Sequence, residues 1–190
     1  GYPNIILITS DDQRADTIAA LGNPTVKTPN LDRLVKRGSV FLNATCANPI
    51  CTPSRGEILT GCTGIRNHVF DFGRTLDPNL KTLPEPFNDA GYSTWYCGKW
   101  HNDGRPSKHG YQNTQGLYTS GGGKWWRPQT DYRGHPIAGY KGWIFRDQND
   151  QPLPELGVGL TPNISAKIAD AAIKVIESST SSYLLHVTFT

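Results

Sequence analysis

Asn4-Ile-Ile-Leu-Ile-Thr-Ser10, a short apolar run rich in β-branched residues and followed at once by Asp11 and Asp12, constrains this chain more than any other segment. An apolar run of this length without polar alternation is expected to be a strand buried on both faces, and such strands belong to parallel sheets covered by helices. The following segments supply those helices. Thr28-Pro-Asn-Leu-Asp-Arg-Leu-Val-Lys-Arg-Gly38 has proline just inside a helix start, Leu31, Leu34 and Val35 at helical spacing, and glycine as a stop. Ser39 to Thr45 reads as a second strand, and Thr52 to Leu59 as a short helix ended by Gly61. A helix near Leu83 to Ala90 precedes Gly91, and Tyr92 to Cys97 is a strand running into Gly98. Ile164, Ile168, Ala171, Ala172, Val175 and Ile176 mark one face of a further helix, followed by the strand Tyr183 to Phe189. The alternation predicts an α/β fold with a mostly parallel sheet and helices on both faces.

Residues 102 to about 160 interrupt the pattern with Gly, Pro, Trp, Tyr and Asn, and neither period persists. Loops this long are uncommon inside a domain, and the aromatic content argues for order, so the segment is read as a covering lid or rim. The length of 190 residues fits one domain able to bury roughly 70% of its unfolded surface. Ile5 to Ile8 is the longest apolar run, far short of the ~20 residues of a membrane span. A net charge of +3 with interspersed signs gives no footing for a nucleic-acid backbone but suits a small anionic substrate.

Chemistry concentrates at two places. Asp11 and Asp12 lie at the carboxyl end of a buried strand, the edge where open α/β sheets bind ligands. Such a pair can hold a hard cation, Ca²⁺ or Mg²⁺, or can cap a turn, and two carboxylates alone do not complete a Ca²⁺ shell. Cys51 opens a short helix with Arg55 one turn further on. Helix amides and a guanidinium would stabilise an anion there, which suits a nucleophile, while a small buried thiol is the plain alternative. Cys46, Cys62 and Cys97 do not pair with Cys51 in metal-binding spacings and are expected to be structural thiols. Arg66 and His68 follow the helix and are candidates to reach a substrate; His186, inside an apolar strand, is expected to be a packed histidine.

Cys51-Thr-Pro53-Ser-Arg55, continuing through Ile58-Leu-Thr-Gly61, resembles the activation signature of the formylglycine-dependent sulfatase family. Gly91-Tyr-Ser-Thr-Trp-Tyr-Cys-Gly98-Lys99-Trp-His101 is similar to the family's second signature, departing from it at Cys97. The resemblance covers residues 3 to 101 and resumes more weakly over 160 to 190. It implies an alkaline-phosphatase-like fold and oxidation of Cys51 to formylglycine by dedicated machinery that reads Pro53 and Arg55. The hydrated aldehyde would then attack sulfur, displace the alcohol and expel sulfate, in covalent catalysis with a self-resetting nucleophile. By matching position, Asp11, Asp12 and residue 51 would hold Ca²⁺, Arg55 would orient the hydrate, Lys99 would neutralise a sulfate oxygen, and His101 would be the base. Strand alternation predicts Lys99 and His101 on one side and Trp100 on the other.

Lys99 to Asp147 carries eight Lys/Arg against three Asp, with Trp100, Trp125, Trp126 and Trp143. Aromatic rings can pack on sugar faces while cations hold anionic groups, so the expected substrate is a sulfated carbohydrate. The family completes its site with downstream residues that have no counterpart here. The chain is therefore expected to be the amino-terminal portion of one catalytic domain, incomplete at its carboxyl end and weakly active or inactive alone. The resemblance also implies a periplasmic or secreted protein. The alternatives are a phosphoester or phosphonate hydrolase of the same superfamily, and an inactive remnant that binds sulfated glycans.

Overall fold

The expected α/β fold with a mostly parallel sheet is present in the computed structural model, which describes residues 1–190, but its elements do not alternate strictly along the chain. In chain order the elements are β1 (Ile5–Thr9), α1 (Pro29–Arg37), α2 (Cys51–Thr60), α3 (Gly64–Asn67), α4 (Pro84–Asp89), β2 (Ser93–Lys99), β3 (Asn113–Ser120), β4 (Trp143–Arg146), α5 (Ile164–Ser178) and β5 (Tyr183–Thr188). The five strands form one sheet in the order β1-β5-β2-β3-β4. The first four are parallel and β4 runs antiparallel to β3.

Strand alternation gives the sheet two apolar faces. On one, Cys97, Tyr118, Phe145, Leu185 and Val187 pack with Ile164, Ile168, Ala172 and Val175 of α5. On the other, Tyr96, Leu117 and Tyr111 pack with Trp100, Val69, Leu76 and Leu59 of α2. Neighbours in sequence such as Tyr96 and Cys97 thus enter opposite cores, as a period of two requires. α5 presents the expected face except at Ile176, which is 42% exposed.

Four expectations are corrected. β1 is not buried on both faces: it is an edge strand, and Ile6 and Ile8 are exposed because α5 packs over β2, β3 and β5 instead. Residues 39–45 form no strand; Phe41 and Leu42 are exposed and find no partner backbone. α1 forms, but Leu34 points outward and the helix is tied instead to the turn Ala19–Leu21, whose Ala20 amide donates to Asp32 at 2.9 Å. Finally, the 102–160 segment is more than a cover. It builds β3 and β4, and its remaining loop is closed by Gly121 donating to the Gly142 carbonyl at 2.7 Å.

Gly98 decides how the central strand ends. Its φ of +92° lies in the region open to glycine, and an added Cβ would sit 2.0 Å from the Thr188 carbonyl oxygen. The β2–β3 register shifts between Cys97 and Gly98. A bulge at this point re-aims the next side chain, and that side chain is Lys99.

Candidate active site

α2 places residue 51 at the carboxyl edge of the sheet. Its first turn is pinned from both sides: the Thr52 hydroxyl donates to the His101 carbonyl at 2.8 Å, and the Asn102 amide donates to the Thr52 carbonyl at 3.0 Å. Gly61 closes the helix in a left-handed conformation. The segment following β2 and α2 are therefore one unit.

Lys99 is fully buried, and its ammonium is hydrogen-bonded to Asp11 Oδ2 and Tyr140 Oη and lies 3.6 Å from Cys51 Sγ. The Tyr140 ring centroid is 4.8 Å from Lys99 Nζ and that of Trp143 is 5.7 Å away, so the cation also sits against aromatic faces. Arg55, 5% exposed, donates to Asp11 Oδ1 at 3.2 Å and to the Lys99 carbonyl at 3.4 Å. Burial by itself would raise the Asp11 pKa; the hydrogen bond and charge of Lys99, the charge of Arg55 and the Tyr140 phenol together hold it below the usual carboxylate range. Asp11, Arg55 and Lys99 form one buried charge network beside residue 51.

A cavity of about 610 Å³ opens over this network, lined by Asp11, Asp12, Cys46, Cys51, Arg55 and Tyr140 among others. Asp12, exposed and with a φ of +50°, faces it from the turn after β1. The carboxylates are hard oxygen donors of the kind Ca²⁺ takes. No group of three or more His, Cys, Asp or Glu side chains is placed to hold a metal ion, and both Asp11 oxygens are engaged by Lys99, Arg55 and Tyr140. The donors present in this chain therefore do not make a divalent-cation site by themselves.

His101 packs edge-on against Trp143, with ring centroids 4.8 Å apart, and its Nδ1 is buried without a partner. It is not among the residues lining the cavity. Burial first, then the charges of Lys99 and Arg55, push its pKa down to about 4 against a smaller opposing effect of Asp11. Lys99 and His101 both meet Trp143, while Trp100 enters the opposite core, so the expected alternation is present beyond the end of β2.

Other candidates separate from the site. Arg66 and His68 are exposed on and just after α3 and do not line the cavity. His186 is packed: its Nδ1 lies 2.7 Å from the Tyr111 hydroxyl, and burial pushes its pKa down to about 3. Trp100 and Trp143 are buried, so neither offers a face to a sugar, whereas Trp126 is exposed. All four cysteines are free, and burial pushes the Cys97 thiol up to about 12. Cys46 was expected to be a structural thiol, yet it is exposed on the cavity rim and lies 3.3 Å from Ser54 Oγ. The residue that sequence reasoning missed is Tyr140, for which no local motif exists; its flanking glycines Gly139 and Gly142 mark only a turn.

Known proteins share this arrangement of sequence and fold. The sulfatase family profile matches residues 3–187. An ulvan-active sulfatase of Formosa agariphila is 41% identical over 102 residues, covering 54% of this chain and 20% of its own length. The human N-acetylgalactosamine-6-sulfatase is 36% identical over 126 residues, covering 57% of this chain and 24% of its own. A structure solved with its substrate D-glucosamine-2-N,6-O-disulfate superposes with a TM-score of 0.70 at 26% identity, covering 100% of this chain and 34% of that one. The chain thus spans about a fifth to a quarter of the curated relatives named here. No helix of the chain is long and apolar enough to cross a membrane. A profile match running from before β1 into β5, on a sheet that brings both signature segments to one edge, settles the kinship: the chain belongs to the sulfatase family.

Proposed function

We propose that residues 1–190 are the amino-terminal portion of one sulfatase catalytic domain, and that the protein carrying them hydrolyses a sulfate ester on a carbohydrate. The observation that carries this reading is a fully buried lysine whose ammonium lies 3.6 Å from the side chain at position 51. Burying a cation is costly unless it is paired and used, and here it is paired with Asp11 at the mouth of a cavity.

A formylglycine at position 51 would supply, as its hydrate, an oxygen nucleophile for sulfur. Lys99 and Arg55 would offset the charge that builds on the sulfuryl oxygens, from positions already fixed before the reaction begins. Arg55 is held by Asp11 and the Lys99 carbonyl while its Nε remains unpartnered, which suits it to orient a hydroxyl at residue 51. We assign His101, two residues beyond Lys99 and against Trp143, the role of base; burial keeps it unprotonated, the form a base needs, and also weakens its hold on a proton. Ca²⁺, or Mg²⁺, is the ion whose hardness matches Asp11 and Asp12, with further donors supplied from outside this set. Names of the relatives support a sulfated sugar as substrate. A periplasmic or secreted location and maturation by formylglycine-generating machinery follow from the same reading.

The test has two parts. Mass spectrometry of the peptide Gly38–Arg55 from the native source should show the Cys51 thiol replaced by an aldehyde. The complete polypeptide should turn over an aryl sulfate faster than an aryl phosphate or phosphonate, and Cys51→Ala should remove turnover. Preference for the phosphorus esters would assign the other branch of the superfamily. An unmodified thiol together with glycan binding and no hydrolysis would leave the binding reading.

A further inference from the structure

Lys99 has three N–H donors and no acceptor. Around its buried ammonium stand three partners: Asp11 Oδ2, Tyr140 Oη and Cys51 Sγ. Each donor therefore has one destination. Two of the three partners are also bonded to each other, since the Tyr140 hydroxyl donates its single proton to Asp11 Oδ2 at 2.9 Å. The phenol can then present only a lone pair to Lys99, which fixes the direction of that bond as well. With Asp11 and Tyr140 holding two donors, the third is left to point at residue 51.

The backbone supports the same reading. Tyr140 has a φ of +62°, a conformation that a bulky aromatic residue rarely adopts. It is kept there by two contacts with Trp143: its carbonyl accepts from the Trp143 amide at 3.0 Å, and its ring packs against the indole with centroids 5.0 Å apart. Backbone strain of this kind persists where surrounding structure imposes it and commonly marks a functional site. The loop between β3 and β4 thus delivers one hydroxyl across 129 positions of sequence to Asp11.

We infer that Tyr140 is a positioning residue of this site, its phenol locking the Lys99 ammonium so that one N–H is directed at the side chain of residue 51. The inference builds on the sulfatase reading but makes a claim about Lys99 that stands apart from turnover. The test compares the complete polypeptide with its Tyr140→Phe variant, which keeps the ring and removes the hydroxyl. With 4-nitrophenyl sulfate, kcat should fall roughly 10- to 100-fold while KM stays within about threefold and the thermal midpoint falls by only about 5 °C or less. In ¹⁵N-lysine-labelled protein, the Lys99 ammonium should give a slowly exchanging signal that disappears in the variant.

A variant with kcat within twofold of the parent, or with raised KM alone, would overturn the inference. So would a variant whose ammonium signal is unchanged. Absence of a slowly exchanging Lys99 signal in the parent would overturn it even if Tyr140→Phe failed to fold. A parent that leaves sulfate esters untouched, yet loses the ammonium signal in the variant, would instead sink the sulfatase reading and support the role of Tyr140.

Discussion

β1 and β5 pair residue for residue, from Ile5 opposite Leu184 to Thr9 opposite Thr188, and both are apolar runs. Every residue of β5 is buried, whereas Ile6 is 44% and Ile8 61% exposed. Their compositions do not explain the difference. β5 lies between β1 and β2 beneath α5, while β1 has a neighbour on one side only. Similar apolar runs can therefore differ widely in burial, because the neighbours a strand acquires decide how much of it is covered.

That contrast can be broken most severely at Gly98. A Cβ there would meet the Thr188 carbonyl at 2.0 Å, so Gly98→Ala should push β5 from β2 and destabilise the protein by about 4 kcal/mol or more in urea unfolding. Next, Leu185→Ala in the covered strand should cost roughly 2–5 kcal/mol by the same measurement. Loss of under 1 kcal/mol would mean that β5 is no better packed than β1.

pH offers a subtler probe of β5. His186 is held neutral in the fold, with Tyr111, Thr9 and the Tyr96 ring around it and the charge of Arg55 opposing protonation. The unfolded chain takes up this proton near pH 6.5, whereas the folded imidazole resists until about pH 3. Stability from this residue is therefore complete above pH 6.5 and is lost progressively as pH falls through that window. Unfolding titrations from pH 7 to pH 4 should show this slope, and His186→Gln should reduce it, leaving the smaller part that His101 contributes. The smallest effect belongs to the open edge: Ile8→Ala should change stability by no more than about 0.5 kcal/mol. A larger cost would show that something covers β1 in solution.

Much of the frame was legible because its signals are local. Proline and glycine bracket α1, Gly61 stops α2, and the Ile164 face announces α5. Segment 39–45 misled because strand propensity is only half of a strand, and no backbone lies alongside to complete it. Segment 113–120 went unread for the opposite reason: Asn, Gln, Gly, Thr and Ser give β3 little local signature, and its pairing with β2 on one side and β4 on the other makes it a strand. The same division holds at the site. Asp11, Cys51, Arg55 and Lys99 each stand in a recognisable local context, and the fold brings them together. Tyr140 is set by a loop closure and a left-handed turn, neither of which its neighbours in sequence encode.

The strand order also fixes a calendar. Asp11 contacts Lys99 across 88 positions, but the strand that carries it is joined to the sheet solely through β5, as in the Thr9–His186 contact across 177. During synthesis the first strand must wait, unpaired and apolar, until residues 183–188 have left the ribosome. Contacts of such long range are slow to form and leave sticky surface in the interim. The counter-ion of the buried lysine thus reaches its place only after β5 has formed the edge on which β1 docks.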